Sequence, residues 1–312
     1  MPEESLREAY GKTLVELGKE NPDIVVLDAD LSKSTMTQYF STAFPDRFFN
    51  IGIAEQNMIG IAAGLASSGK IPFASTFAVF APGRCFDQIR MSVAQPAHNV
   101  KIVTTHGGIT VGEDGITHQA IEDLSLACSL PGMTVIVPAD AIETAQAVRF
   151  AAKFKGPVYI RLPRLKLLTL LPQDYRFETG KAAVLREGKD VTVAVLGIMV
   201  APALEAAANL NKENIDCRVL NMSSLQPIDE TAIIRAAQQT GAIVTAEEHL
   251  EHGGLGGTVA RITGKHCPVP LELVALHNYA QSGKPAELLH KYGLTAQDIE
   301  LAVRTAIKRK SI

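Results

Sequence analysis

The stretch 50-NIGIAEQNMIGIAAGLA-66 contains one charged residue, Glu55, within an apolar segment that has two glycines one helical turn apart. The nearest charged residues along the chain are Arg47 and Lys70, so no sequence neighbour can neutralise this carboxylate if the segment is buried. Glu55 is then either a first-turn acid stabilised by the helix dipole and by free backbone amides, or a desolvated carboxyl that shares a proton with a heterocyclic nitrogen. The residues of the segment leave both interpretations open.

The pattern on both sides of this segment predicts the fold class. Short β-branched runs alternate with longer helical runs, which is typical of α/β proteins with parallel sheets. Strands are predicted at 24–28, 101–106, 134–138 and 157–162, with a helix at 139–154. The pattern loosens between residues 163 and 190, so we expect two domains, 1–180 and a smaller α/β domain, 181–312. The second has predicted strands at 191–197, 216–221, 241–248 and 271–276, and predicted helices at 199–211, 228–240 and 295–310.

The composition excludes several classes of partner. The 312 residues have a formal net charge of -3 with acids and bases interspersed, which gives no electrostatic footprint for nucleic acid or an anionic membrane. No apolar run reaches the roughly 18 to 20 residues of a membrane span. The four cysteines lie far apart and no secretion signal is evident at the N-terminus, which favours a reduced, cytoplasmic protein.

Two aromatic residues follow the Glu55 segment. Phe77 and Phe80 stand three positions apart in 75-STFAVFAPGRCFDQIR-90, in a chain with only 5% aromatic residues. They are either ordinary core residues or the walls of a flat, water-excluding pocket for a ring ligand. Their proximity to a buried acid favours the pocket only modestly.

A glycine-rich loop after a predicted strand contains His106, Asp114 and His118. Loops at the carboxyl ends of parallel strands are where open α/β sheets bind ligands. The spacing of the three residues matches no compact zinc pattern, and recognition of hydroxyl or phosphate groups is as consistent with them as metal binding. Arg7 and Arg161 are suited to bidentate anion binding, although either could be an ordinary ion-paired arginine.

The turn 247-EEHLEHGGLGGTVA-260 lies between a predicted strand and a helix. It fits neither the dinucleotide-binding nor the P-loop pattern. His249 and His252 could hold a metal, but a glycine- and histidine-rich turn next to an interface is the better interpretation.

Five segments, in this order and spacing, resemble the pyrimidine-binding domain of transketolase: 28-DADLSKST-35, 50-NIGIAEQNMIGIAAGLA-66, 75-STFAVF-80, 112-GEDGITHQ-119 and 159-YIRLPR-164. The segments 191-VTVAVLG-197 and 245-TAEEHLEHGGLGG-257 resemble the C-terminal domain of the same family. The resemblance therefore covers nearly the whole chain. It implies a thiamine diphosphate-binding, pyrimidine-type parallel-sheet domain followed by a smaller transketolase C-terminal α/β domain.

The resemblance also implies a cofactor site. Transketolases use thiamine diphosphate, and the family glutamate that hydrogen-bonds its aminopyrimidine ring matches Glu55, which would be catalytic. A third family aromatic falls at Gly83, so this sequence departs from the family pattern at one wall of the ring pocket. The implied cofactor-binding residues are Asp30, Leu31, Glu55, Phe77 and Phe80.

The implied substrates are sugar phosphates of the pentose phosphate pathway, between which a two-carbon ketol unit is transferred. Asp114 and His118 match the family pair that contacts the sugar hydroxyls, and His118 would be a second catalytic residue. The residues that match the family group around the sugar phosphate are Arg7, Ser34, His106 and Arg161.

The implied partner follows from a missing motif. The family binds the diphosphate and its Mg²⁺ (or Ca²⁺) through a G-D-G motif on an N-terminal domain, and no GDG occurs in this sequence. The chain therefore looks like the C-terminal subunit of a split transketolase, inactive until it pairs with an N-terminal subunit, in an α2β2 heterotetramer. The glycine-spaced helix after Glu55 is our candidate for part of a large, apolar interface.

Other functions on the same scaffold remain as alternatives. They are a deoxyxylulose phosphate synthase-like fragment, the β subunit of a 2-oxoacid dehydrogenase, and a non-catalytic subunit. The GEDGITHQ segment argues against the first two, and the presence of Glu55 and His118 argues against the third. Metal-dependent hydrolysis by the three residues of the glycine-rich loop is a further alternative.

Overall fold

The computed structural model describes residues 2–310. In that range the strands are β1 Glu3–Ser5, β2 Ile24–Asp28, β3 Phe48–Asn50, β4 Ile71–Phe77, β5 Lys101–Thr105, β6 Thr134–Ile136, β7 Val158–Arg161, β8 Lys166–Leu168, β9 Ala183–Arg186, β10 Val191–Val195, β11 Cys217–Asn221, β12 Ser224–Gln226, β13 Ile243–Leu250 and β14 Leu271–Leu276. The α-helices are α1 Leu6–Glu20, α2 Ser32–Thr35, α3 Gln38–Ala43, α4 Glu55–Ser67, α5 Phe86–Gln88, α6 Asp123–Cys128, α7 Ala141–Lys153, α8 Val200–Asn211, α9 Glu230–Thr240, α10 Leu255–His266, α11 Pro285–Lys291 and α12 Ala296–Lys310. Short 3₁₀ turns cover Pro45–Arg47, Ile109–Asp114 and Gly197–Met199, and π turns cover Val79–Gly83 and Ile89–Ala94.

The first half of the chain builds a sheet with the strand order β12-β6-β7-β5-β4-β2-β3. Every neighbouring pair from β6 to β3 is parallel. The strands β2 and β5 are buried along their whole length because helices cover both faces, as is usual for parallel sheets. On one face, α1 and α7 pack against the sheet through residues such as Tyr10 and Val148. On the other, α4 packs through Met58 and Ile59.

The second half builds a sheet with the order β14-β13-β10-β11-β9, parallel except for β9. Helices α8 and α12 cover one face with an apolar core. The opposite face shares one apolar cluster with the first half, in which Leu130 and Met133 join Leu225 and Ile233. The fold class expected from the sequence, two successive α/β units with parallel sheets, is confirmed. No helix within residues 2–310 is both long enough and apolar enough to cross a membrane.

The two halves are also joined by a shared strand. Strand β12 lies beyond the predicted boundary at residue 180, yet it pairs antiparallel with β6 of the first sheet. The boundary itself stays a prediction. It falls in the irregular segment between β8 and β9.

A buried ionic cluster lies where the halves meet. Arg161 Nε lies 3.0 Å from Asp123 Oδ2, and Arg161 Nη2 donates to the backbone oxygen of Glu248 over 3.0 Å. The side chain of Glu248 accepts from Thr110 N over 2.6 Å and packs so closely on Gly108 (φ +83°) that a Cβ there would clash. Asp123 Oδ1 and Glu248 Oε2 are buried without a hydrogen-bond partner. The guanidinium group of Arg161 thus pairs with the carboxylate of Asp123 and with the backbone of Glu248.

This arrangement makes stability depend on pH. Burial raises the pKa of Glu248 from 4.5 to about 7, although Arg161 opposes the shift. The folded chain keeps the proton of Glu248 to a higher pH than the unfolded chain does. The contribution of Glu248 to the unfolding free energy is therefore fully present below about pH 4.5 and is lost as the pH rises through about 7. We expect the unfolding free energy of the wild type to fall relative to that of Glu248→Gln over this range, by up to about 3 kcal/mol. Urea denaturation at pH 5, 6, 7 and 8 measures the difference, and parallel profiles for the two proteins would contradict it.

Candidate functional site

The predicted site residues converge on one edge of the first sheet. Five adjacent parallel strands, β7, β5, β4, β2 and β3, end at this edge. The carboxyl edge of a parallel sheet is the usual ligand site of open α/β proteins. The residues at or just after these strand ends are Arg161 and Arg164, His106, Phe77, Asp30, and Glu55, in the order of the strands above.

Glu55 is the first residue of α4 and is only 3% exposed. The side chain of the N-cap, Ala54, cannot cap the helix, and Glu55 makes no hydrogen bond to a backbone amide within residues 2–310. Instead its Oε2 accepts a hydrogen bond from Arg84 Nη1 over 2.8 Å. No sequence neighbour neutralises this acid, as expected, and its charged partner lies 29 positions away along the chain.

Phe77 and Phe80 form an aromatic cluster with two histidines. The two phenylalanine rings are stacked with centroids 5.9 Å apart, and the ring of His106 stacks on Phe77 at 3.8 Å. His118 meets Phe80 edge-on at 5.4 Å. Phe77 and His106 are buried, whereas Phe80 and His118 are half-buried. The cluster therefore has a closed inner side and a partly open outer side.

The chain after β4 makes a π turn rather than an α-helical one. This turn, Val79–Gly83, contains Pro82 and places Arg84 beside the cluster, with its guanidinium carbon 4.4 Å from the centroid of Phe80. A Cβ added at Gly83 would meet nothing within 4 Å. The position at which the family aromatic is missing is thus open space.

His106 is a neutral imidazole in this environment. It has a positive φ of 62°, is buried, and its Nδ1 lies 2.8 Å from Thr105 Oγ1. Burial, together with the positive charges of Arg7 and Arg164, lowers the pKa of His106 from 6.5 to about 3. His106 can therefore hydrogen-bond a ligand at neutral pH without bringing a charge to it.

Two arginines form a cationic group next to this histidine. Arg7 Nη1 donates to the backbone oxygen of Ser34 over 2.8 Å, and Arg7 Nη2 donates to that of Arg164 over 3.0 Å. Arg164 Nη1 lies 3.6 Å from Asp114 Oδ2. Burial, together with the charge of Arg164, lowers the pKa of Arg7, and its Nε is buried without a partner. Two guanidinium groups, one with an unused N–H, make this group suitable for an anion.

Arg161 does not belong to the cationic group in this structure, and its role at a sugar phosphate stays a prediction. It is 5% exposed and is held by the interdomain cluster described above, with Asp123 as its ion-pair partner. Arg164 lies beyond the end of β7 with 40% of its side chain exposed. Both arginines occur in 159-YIRLPR-164. Proline tends to end a strand, so Pro163 was the available sign that Arg164, but not Arg161, lies in the loop beyond the strand.

Asp30 and Leu31 follow β2, between the strands that lead to Glu55 and Phe77. Asp30 has a positive φ of 64° and accepts from Asn50 Nδ2 over 3.0 Å. The backbone N–H of Leu31 donates to the buried Asp28. The pair thus lies at the same edge but outside the aromatic cluster.

The second half supports the loop that carries Asp114 and His118. Ser282 Oγ donates to the backbone oxygen of Glu113 over 2.6 Å, and Gln119 Nε2 donates to that of Gln281 over 3.0 Å. Sequence reasoning missed this support because no local pattern marks contacts between residues so far apart. Within residues 2–310, no group of three or more His, Cys, Asp or Glu side chains is arranged to hold a metal ion.

Comparison with known proteins identifies the family. Residues 3–169 match the family described as transketolase, pyrimidine binding domain, and residues 180–299 match transketolase, C-terminal domain. A putative transketolase C-terminal section from Methanocaldococcus jannaschii is 44% identical, with 98% of this chain and 97% of that protein covered. A 6-deoxy-6-sulfo-D-fructose transketolase subunit from Clostridium sp. is 43% identical, with 100% and 97% covered.

Full-length and split forms both occur among the similar proteins. The transketolase of Homo sapiens is 39% identical, but this chain covers only 49% of it. A solved structure described as a split gene transketolase, inactive beta4 tetramer, superimposes with a TM-score of 0.93 at 55% identity, with 98% of this chain and 99% of that chain covered. With its two matched domains and these relatives, this chain belongs to the transketolase family of transferases.

Proposed function

We propose that this chain is the C-terminal subunit of a two-subunit, thiamine diphosphate-dependent transketolase that transfers a two-carbon ketol unit between sugar phosphates. One observation carries the proposal. A buried acid, Glu55, and the stacked pair Phe77 and Phe80 lie at the same sheet edge as the cationic group of Arg7 and Arg164. An acid with flat aromatic surfaces suits a nitrogen heterocycle, and paired guanidinium groups suit a phosphate.

The residues present fit the ring of thiamine diphosphate. Glu55 Oε1 has no hydrogen-bond partner within residues 2–310, Phe80 is half-buried, and the space next to Gly83 is open. When bound, thiamine diphosphate stabilises the negative charge that develops when the ketol unit leaves its donor. Glu55 would share a proton between its carboxyl oxygen and a ring nitrogen, while Phe77 and Phe80 exclude water from the ring. Asp30 and Leu31 would contact the cofactor from the end of β2.

The sugar would lie between the aromatic cluster and the cationic group. His118, at the outer side of the cluster, would donate or accept a proton at a sugar oxygen, and Asp114 would hydrogen-bond a hydroxyl group. The phosphate would meet Arg7, Arg164 and the neutral His106, with Ser34 at its rim. In this assignment Arg164 replaces Arg161.

A second subunit would complete the enzyme. The sequence has no GDG motif, and a similar protein is described as an inactive tetramer of β chains of a split transketolase. We infer that an N-terminal subunit with this motif holds the diphosphate and Mg²⁺ or Ca²⁺, and that two copies of each chain form an α2β2 heterotetramer. The helix α4, with its exposed glycines Gly60 and Gly64, remains our candidate for part of an interface. The cytoplasm is the proposed location, which is supported by the free state of all four cysteines in the described chain.

Two substrate classes follow from the relatives. Sugar phosphates of the pentose phosphate pathway are the first proposal because of the two arginines. The 43% identical subunit named for 6-deoxy-6-sulfo-D-fructose makes a sulfonated sugar the second candidate, since a sulfonate also binds guanidinium groups.

The test is to produce this chain together with a subunit that carries the GDG motif. We expect ketol transfer from xylulose 5-phosphate to ribose 5-phosphate with thiamine diphosphate and Mg²⁺ in the mixture, and none with either chain alone. Parallel assays use 6-deoxy-6-sulfofructose as donor, and pyruvate with glyceraldehyde 3-phosphate, the substrates of deoxyxylulose phosphate synthesis. Full activity of the isolated chain would contradict the split enzyme. An inactive mixture that still binds the cofactor would favour a non-catalytic subunit.

A further inference from the structure

Arg84 connects the acid and the aromatic ring that the proposed function assigns to the cofactor. Its Nη1 donates to Glu55 Oε2 over 2.8 Å, and its guanidinium carbon lies 4.4 Å from the centroid of Phe80. Its backbone oxygen accepts from Gln56 Nε2 over 3.0 Å. Arg84 therefore ties the first turn of α4 to the π turn that follows β4.

The contact between Arg84 and Glu55 is one-sided. Only Oε2 of Glu55 is engaged, whereas Oε1 has no hydrogen-bond partner within residues 2–310 and is not sealed from solvent. A bidentate arginine would have occupied both oxygens. The single contact fixes the rotation of the carboxylate and leaves one oxygen for a ligand.

No other group in the described chain can replace this contact. Glu55 is buried, has no second cation within ion-pair distance among residues 2–310, and accepts no backbone hydrogen bond there. A buried carboxylate needs a compensating partner, so its orientation depends on Arg84. The side chain of Arg84 is 45% exposed and reaches inward from the rim of the site because the π turn ends there.

We propose that Arg84 is a positioning residue, which holds Glu55 by one oxygen so that the other meets the ring nitrogen of thiamine diphosphate. This inference rests on the proposed function, since it requires that Glu55 bind the cofactor ring. Arg84 is not among the site residues that the family resemblance implies. It follows the open position at Gly83, and its guanidinium group covers Phe80 where the family has an aromatic side chain.

A double-mutant cycle on cofactor binding tests the inference. Calorimetric titration of thiamine diphosphate with Mg²⁺ into the complex with the GDG subunit gives Kd for the wild type, Arg84→Gln, Glu55→Gln and the double variant. We expect Arg84→Gln to weaken binding about tenfold when Glu55 is present and less than about twofold in the Glu55→Gln background. Arg84→Lys should recover part of the loss, because lysine supplies the charge without the planar fork or the stacking on Phe80.

Arg90→Gln is the matched control. Arg90 is an exposed arginine on the next π turn, and its Nη1 contacts Met91 Sδ. The Arg90→Gln substitution should leave the Kd for thiamine diphosphate unchanged. The inference is overturned if Arg84→Gln tightens binding, leaves it unchanged, or weakens it equally in both backgrounds. If Glu55→Gln alone leaves both binding and ketol transfer unchanged, the proposed role of Glu55 fails as well. A loss with Glu55→Gln but none with Arg84→Gln overturns only the role of Arg84.

Discussion

Glu55→Gln is expected to lower ketol transfer by the assembled two-subunit enzyme about 10²- to 10⁴-fold, the range for losing a positioned proton-transfer group. Glutamine has the same shape as glutamate, so folding and assembly should be retained. The turnover rate at saturating cofactor and substrates is the measurement, with gel filtration to verify assembly.

The control for this prediction is Glu205→Gln, the same chemical change at an exposed position of α8. It should leave turnover unchanged. A Glu55→Gln enzyme with a near-normal rate would remove Glu55 from the mechanism and, with it, the main support for a transketolase reaction at this site.

The second prediction separates two arginines three residues apart. Arg161→Met should lower the unfolding free energy by about 3–5 kcal/mol, because it leaves Asp123 buried without its cation. Arg164→Gln should leave the fold intact and raise KM for a sugar phosphate about 10- to 100-fold, since it removes a charge-assisted contact to the phosphate. Chemical denaturation and steady-state kinetics measure the two effects.

A donor without a phosphate provides the control. With hydroxypyruvate as ketol donor and the acceptor held at saturation, Arg164→Gln should have the same KM for the donor as the wild type. A normal KM for sugar phosphates in Arg164→Gln, together with a stable fold in Arg161→Met, would mean that the original sequence assignment of Arg161 to the phosphate was right.

The sequence predicted the regular elements well where the signal was a buried β-branched run. Strands β2 and β10 begin where predicted because both of their faces are covered, which favours a mostly apolar run. Strand β4 was missed as a strand because Pro72 and the polar residues after it break the apolar run. The three-residue β12 carries too few residues to show any period, and its partner lies in the other half of the chain.

The candidate site was predictable as a set of residues but not as a set of contacts. The aromatic cluster brings together 75-STFAVF-80 and 112-GEDGITHQ-119, as the resemblance implies. The pairing of Glu55 with Arg84 was not predictable, because a π turn has no sequence pattern and shifts the direction of the following side chain. Likewise, a motif that contains two arginines does not reveal which one the strand buries. The side-chain roles at the site remain predictions that the variants above test.

The hydrogen bond from Ser282 to the loop of Asp114 and His118 has a consequence for substrate choice. The loop that would read the sugar hydroxyls is held from outside by a domain that supplies none of the proposed cofactor residues. Sequence changes around residues 278–285 could therefore shift the loop and alter which sugars are accepted, while every residue that would touch the cofactor stays the same. Divergence of substrate preference among split transketolases could then proceed in the C-terminal domain without a loss of catalytic competence.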